Sequence, residues 1–197
     1  MPSVSLAETT PEAEQLEVDG LQRLIGGETT TAIAPLETAL GLYQAANDEA
    51  GTRRIADMLW VAYGSLGLEQ KLEGDTAALN SYQRQLEFAN LLQDAAKLTH
   101  SYLNIGSGHL WLEHWTEARR WLNQGVEQAR LLPANTPSVP SGSHLERGLR
   151  LLLVLESILN NGPQVIALAD ELRPISASFE TDFLVQQALG SAYLLQG

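Results

Sequence analysis

The amino-acid sequence predicts an all-α fold of antiparallel helix hairpins, and three observations carry that prediction. Apolar residues recur at intervals of three and four along almost the whole chain, the period that gathers them on one side of a helix. Strand-like alternation is nearly absent, and clusters of Gly, Pro, Asn and Asp mark the breaks. Finally, one helix-pair pattern recurs along the chain, and such self-similarity decides an architecture before any single motif does.

The elements follow in order. Residues 1–9 form an N-terminal tail, expected to be disordered. Thr10, Pro11 and Glu12 combine a hydroxyl cap, a proline at the first helical position and an early acid, so the first helix starts there and ends at Gly26-Gly27. A second runs from about Ala32 to Ala46; Pro35 has no amide donor, so this helix is expected to begin late or to bend in its first turns. Asn47 to Gly51 lead into a third, about 52–71, and Gly74-Asp75 into a fourth that ends near Leu92. Two more occupy about 95–112 and 116–132. The segment 133–143 holds three prolines, a glycine and three serines and reads as a linker loop. Ser143-x-x-Glu146 is a capping box for the next helix, which Asn160-Asn161-Gly162 stop. Pro163 opens a short helix that ends before Pro174, and a last one starts near Phe179. The organisation is thus three helix pairs over 10–132, the linker, and a further pair plus a single terminal helix over 144–197.

Composition removes several function classes. With no cysteine in 197 residues, disulfides and thiolate chemistry are impossible. The longest apolar run, Leu151 to Leu155, is far short of the roughly 20 residues that span a bilayer, which predicts a soluble chain, cytoplasmic as it stands, or periplasmic or luminal behind a removed leader. The net charge is −12, and the acid excess sits mostly in the first hundred residues, which repels phosphate backbones and argues against a nucleic-acid partner.

The repeat is read from particular residues. The fifth and sixth helices give Tyr102-x-x-Ile105-Gly106, Trp115, and Ala118-x-x-x-Leu122-x-x-Gly125, with twelve residues from Gly106 to Ala118. The first two give Leu16, Gly20, Gly27 and Ala32-x-x-x-Leu36-x-x-Ala39, again with twelve from glycine to alanine. The third and fourth give Trp60-x-x-Tyr63-Gly64 and Ala78-x-x-x-Tyr82, with two residues inserted. This pattern resembles the tetratricopeptide repeat, in a long-helix bacterial variety, since the glycine-to-glycine spacings are 44 and 42. The chain departs from it at Asp19, Arg23 and Glu171, where apolar residues are expected, and at Gly67 and His109, where an aromatic is. The resemblance implies an α-solenoid of about four to four and a half repeats.

Candidate chemistry is sparse. His109 and His114, five residues apart, would point about 140° apart on a helix, so no metal site is expected. Gly26-Gly27 lacks the lysine and strand of a phosphate loop, and no serine lies in a nucleophile elbow. Neither an enzyme nor a cofactor is therefore expected. In the family the first helices of successive repeats line a concave groove. The resemblance places Leu103, Ser107 and Trp111 of the fifth helix on that face, and Val61, Ser65 and Leu68 of the third. Such a trough suits an extended or helical peptide, and with no basic residue in either stripe, a chaperone-tail clamp is disfavoured. The expected function is a protein-interaction scaffold. The alternative is a sensor that closes on a small molecule or signalling peptide and controls an attached output domain. The last helix offers an apolar face of Phe183, Leu184, Leu189, Tyr193 and Leu194, for which further repeats, an output domain or a second copy is expected as cover.

Overall fold

The computed structural model describes residues 11–133, 143–176 and 179–195, so the expected tail 1–9, the Thr10 cap and most of the linker lie outside the described residues. Among the described residues there are nine helices and no strand: α1 Pro11–Ile25, α2 Thr29–Ala45, α3 Glu49–Glu73, α4 Ala78–Leu92, α5 Ala95–Trp111, α6 Trp115–Leu131, α7 His144–Ile158, α8 Gly162–Leu172 and α9 Phe179–Leu195. The chain is an all-α solenoid of hairpins that forms two compact units, 1–94 with α1 to α4 and 95–197 with α5 to α9. In the first unit α1/α2 and α3/α4 are the hairpins, and α2 packs on α3. In the second, α5/α6 and α7/α8 are hairpins, α6 packs on α7 across the proline-rich segment, and α9 packs on α8 and α7.

One turn geometry makes these hairpins tight. A residue in the left-handed region follows α1 to α5 and α7: Gly27, Asn47, Gly74, Gln93, Glu113 and Asn160. The next amide donates to a carbonyl five residues back, as in Glu28 to Arg23 at 2.8 Å, Asp48 to Tyr43 at 2.9 Å, His114 to His109 at 2.9 Å and Asn161 to Glu156 at 2.9 Å. This Schellman closure satisfies the last carbonyls of these helices and reverses the chain within two to four residues. At the other ends, Asp48 accepts from the Gly51 amide at 2.9 Å and Ser143 from the Glu146 amide at 3.0 Å. The second half of the Ser143 capping box is missing, since the Glu146 carboxylate accepts from the Thr181 hydroxyl of α9 at 3.2 Å.

Glycines set the helix approach. A Cβ on Gly20 would fall 2.5 Å from Leu36, and one on Gly106 would fall 2.7 Å from Leu122, so α1/α2 and α5/α6 close on a glycine facing a leucine, as the repeat pattern predicts. In α3/α4 that position belongs to Gly67, where a Cβ would meet the Tyr82 ring at 2.5 Å. Gly64, by contrast, faces Gln85. Gly67 is therefore no lost aromatic: the ring has moved to the second helix of the hairpin and needs the missing side chain as its seat. The polar departures are likewise explained by pairing. Asp19 accepts from Arg23 at 3.0 Å within α1, and Glu171 accepts from Arg130 of α6 at 2.8 Å.

Pro35 is the main local difference. α2 starts earlier than the sequence suggests and runs through proline at its seventh residue. Ala32, Leu36, Ala39 and Tyr43, all fully buried, hold the helix in place against the loss of one backbone hydrogen bond.

Candidate functional site

In the first unit, α1 and α3 each keep an apolar stripe in solvent. On α1 it is Val18, Leu21 and Ile25, and on α3 Val61, Leu68 and Leu72, with Ser65 half-buried between. The two stripes have one register. Val18, Leu21 and Ile25 stand at −2, +1 and +5 from Gly20, and Ser65, Leu68 and Leu72 stand at the same offsets from Gly67. At about 100° per residue these offsets lie within roughly 60° of one another and face away from the glycine, hence away from the second helix of the hairpin. Ile25 is 79% exposed and Leu72 78%, values that nothing in the core demands. Val61 and Leu68, both expected on the groove face, are exposed. Leu72 is not in the sequence-based stripe because that stripe counts from Gly64, and counting from Gly67 finds it; Val18, Leu21 and Ile25 appear when the same offsets are counted from Gly20.

In the second unit the expected stripe breaks up. Leu103 is 0% exposed, and its side chain fills the space that Cβ atoms on Gly125 and Gly148 would occupy at 2.5 and 3.1 Å. Ser107 is also buried. Leu103 and Ser107 are therefore corrected from groove-lining to interior positions. The reason is helical drift: three residues at i, i+4 and i+8 turn by about 80° from first to last, so a series that starts in the core ends in solvent. Only Trp111, at +5 from Gly106 and 38% exposed, reaches the surface. A second feature, not anticipated, is an open trough of about 290 Å³ between α7 and α9, lined by Val154, Ser157, Ile158, Leu184, Gln187, Ala188 and Ser191. No side chain there carries a charge. On α9, Leu189 turns inward with Val185 and Ala188, while Phe183 and Tyr193 are exposed; the side chain of Leu194, also expected on the terminal face, lies outside the described residues.

Charge distinguishes the two units. Residues 1–94 hold 15 acidic and 5 basic side chains, a net −10, against 9 and 7 in residues 95–197. The arginines of the first unit are engaged internally. Arg54 pairs with Glu17 at 3.0 Å and lies over the Tyr43 ring, whose hydroxyl donates to Glu17 at 2.6 Å. Arg84 pairs with Glu37 at 2.7 Å and also with Glu87, and the Tyr63 hydroxyl donates to Glu37 at 2.7 Å. The Arg54 bond holds the Glu17 carboxyl below the usual range, while burial, reinforced by the hydrogen bond to Glu17, pushes the Tyr43 hydroxyl up to about 12. Arg23 pairs with Asp19, and Arg53 donates to the Leu92 carbonyl at 3.3 Å.

The two histidines near the α5/α6 turn come together after all. The chain reverses at Glu113, φ 60°, and brings the two Nδ1 atoms to 3.3 Å. The 140° separation applies only within a continuous helix, and the helix ends at Trp111. Burial, followed by the charge of His114, lowers the His109 pKa. Among the described residues no group of three or more His, Asp or Glu side chains is placed to hold a metal. No described helix is long and apolar enough to cross a membrane.

No family model matches the chain, and no curated protein matches it. Among solved structures, the chain is similar to the crystal structure of the apo form of RapI, with a TM-score of 0.62 and 18% identity. The match takes in 96% of this chain and 54% of the other, so this chain spans about half the length of that protein. At this identity the likeness is one of fold, an all-helical repeat arrangement.

Proposed function

We propose that the chain is a tetratricopeptide-like repeat scaffold, without catalytic activity, that holds a protein or peptide partner against the exposed apolar faces of its first helices. One observation carries the reading. The residue five positions after each hairpin glycine is large, apolar and exposed: Ile25 after Gly20, Leu72 after Gly67, Trp111 after Gly106. Fully burying such a side chain against a partner contributes about 1.5 to 3 kcal/mol, and without a partner that surface stays in water. Val61, Ser65, Leu68 and Trp111 are the contact residues kept from the sequence reading, and Ile25 and Leu72 join them.

Trp111→Ala tests this reading. It should weaken a bound partner by about 2 kcal/mol or more and cost the fold less than Leu103→Ala, whose buried side chain predicts a loss of about 2 to 5 kcal/mol. Stability losses in the reverse order would make Trp111 a core residue. The trough between α7 and α9 favours a second reading, a sensor for a small molecule or signalling peptide, because its volume approaches that of small-ligand sites. Under that reading, metabolites or short peptides raise the melting temperature, and Ile158→Ala with Leu184→Ala removes the shift.

A further inference from the structure

The face that α1 and α3 expose in the first unit combines three properties that together select an occupant. It is apolar along two stripes, its rim is acidic, and the unit that carries it is strongly negative. Glu14 stands one turn before Val18 and Asp57 one turn before Val61, each at i, i+4 and so on the same helix side. Glu69 and Glu73 follow Leu68 and Leu72 directly and are exposed. α1 and α3 touch, and the Glu17–Arg54 pair joins them, so the two stripes lie on neighbouring helices.

From this arrangement, and resting on the scaffold reading above, we propose that the α1/α3 face docks a cationic amphipathic helix of about three turns. Backbone chemistry selects a helix over a strand. The amides and carbonyls of α1 and α3 are used within their own helices, so the face offers an extended peptide no ladder partners, whereas a helix brings its own hydrogen bonds satisfied. Length agrees: Val61 and Leu72 stand eleven residues apart, about 16 Å of helix at 1.5 Å per residue. Charge selects a cation. The net −10 of the unit repels a second copy of the same face, and it repels any polyanion. The bound helix places apolar residues at three- and four-residue spacing against the two stripes, with Lys or Arg on its flanks toward Glu14, Asp57, Glu69 and Glu73.

Fluorescence anisotropy with the whole chain and two synthetic helical peptides tests this. Both carry leucine at helical spacing; one has lysine at the remaining positions and the other glutamate. The lysine peptide should bind at least roughly tenfold more tightly, and raising salt from about 0.05 to 0.3 M should weaken it. Leu68→Ser with Leu72→Ser should lower its affinity roughly tenfold, and Glu14→Gln with Glu73→Gln several-fold, with helix content unchanged because these side chains are exposed or at the rim. The proposal is overturned if the leucine variants bind the lysine peptide as wild type does, since attraction is then unspecific, or if the glutamate peptide binds equally well. Sedimentation showing dimers that Leu68→Ser with Leu72→Ser dissolves would make the occupant a second copy, and also overturns it. If Trp111→Ala weakens the peptide while the α1/α3 variants do not, the scaffold reading stands and this face is the wrong one; if only Ile158→Ser weakens it, the trough is the site and both this face and the scaffold reading fail. No response to any of these variants sinks both.

Discussion

Gly106→Ala is the substitution on which the hairpin geometry can be tested most directly. In an ordinary helix this change stabilises by about 1 kcal/mol, because glycine is the poorer helix former. Here the added Cβ would lie 2.7 Å from Cδ2 and Cγ of Leu122 and 3.1 Å from the Leu122 backbone nitrogen. Leu122 is fully buried in the core with Leu103, Val126 and Leu149, so its side chain has nowhere to retreat, and the backbone contact cannot be relieved by a rotamer change. Overpacking of this kind costs about 1 to 3 kcal/mol, which exceeds the propensity gain and leaves a net loss of about 1 kcal/mol. The sequence alone leaves alanine neutral or helpful; the structure reverses that sign. Gly190→Ala in α9 is the matched control in the same unit, because a Cβ there meets nothing within 4 Å, and it should gain up to about 1 kcal/mol. Thermal unfolding followed by circular dichroism should therefore move the two alanines in opposite directions, by about 4 to 8 °C per kcal/mol in a unit of this size. If Gly106→Ala raises the melting temperature as Gly190→Ala does, α5 and α6 do not cross at that glycine and the repeat register is wrong.

Two further outcomes are expected. His100, half-buried in α5, has its pKa lowered to about 3 by burial and then by the charges of Arg147, His144 and Lys97, so the folded chain resists a proton that the unfolded chain accepts near 6.5. Stability from this group is complete above about pH 6.5 and is lost as pH falls toward 3, about 2 kcal/mol of it by pH 5, and His100→Gln should flatten urea-denaturation stability between pH 7 and 5 by that amount. A slope unchanged in the variant would refute the assignment. Arg119→Met should cost about 3 kcal/mol in the same assay, because it strips the buried Glu156 carboxylate, 3% exposed, of two hydrogen bonds at 2.6 and 2.8 Å and leaves it only Asn161. A loss below about 1 kcal/mol would mean that Glu156 takes up a proton or finds water instead.

What the sequence determines by itself is the local half of the structure. The helices, the breaks at Gly26-Gly27, Gly74 and Asn160-Asn161, the Ser143 cap and the hairpin pairing Gly106 with Leu122 all depend on residues within a few turns of one another. Periodicity and turn chemistry encode such features directly, because the interacting groups are neighbours in the chain. Of the candidate faces, Val61, Leu68 and Trp111 are exposed, and Leu103 and Ser107 are not. Tertiary packing decides the rest. A bare apolar period cannot say that Leu103 is taken into the space left by Gly125 and Gly148, or that Gly67 rather than Gly64 receives Tyr82, since both depend on side chains 15 to 45 residues away. Pro35 is carried inside α2 because Ala32, Leu36 and Tyr43 are locked in the core around it, which outweighs a local penalty of about 3 kcal/mol. His109 and His114 meet because a left-handed residue at Glu113 folds the chain back between them, a backbone choice that no side-chain spacing announces. Spacing along the chain defines directions around one helix; which of those directions meets another helix and which meets water is set by the neighbours, and the exposed stripes that make this protein a candidate scaffold are what that packing leaves uncovered.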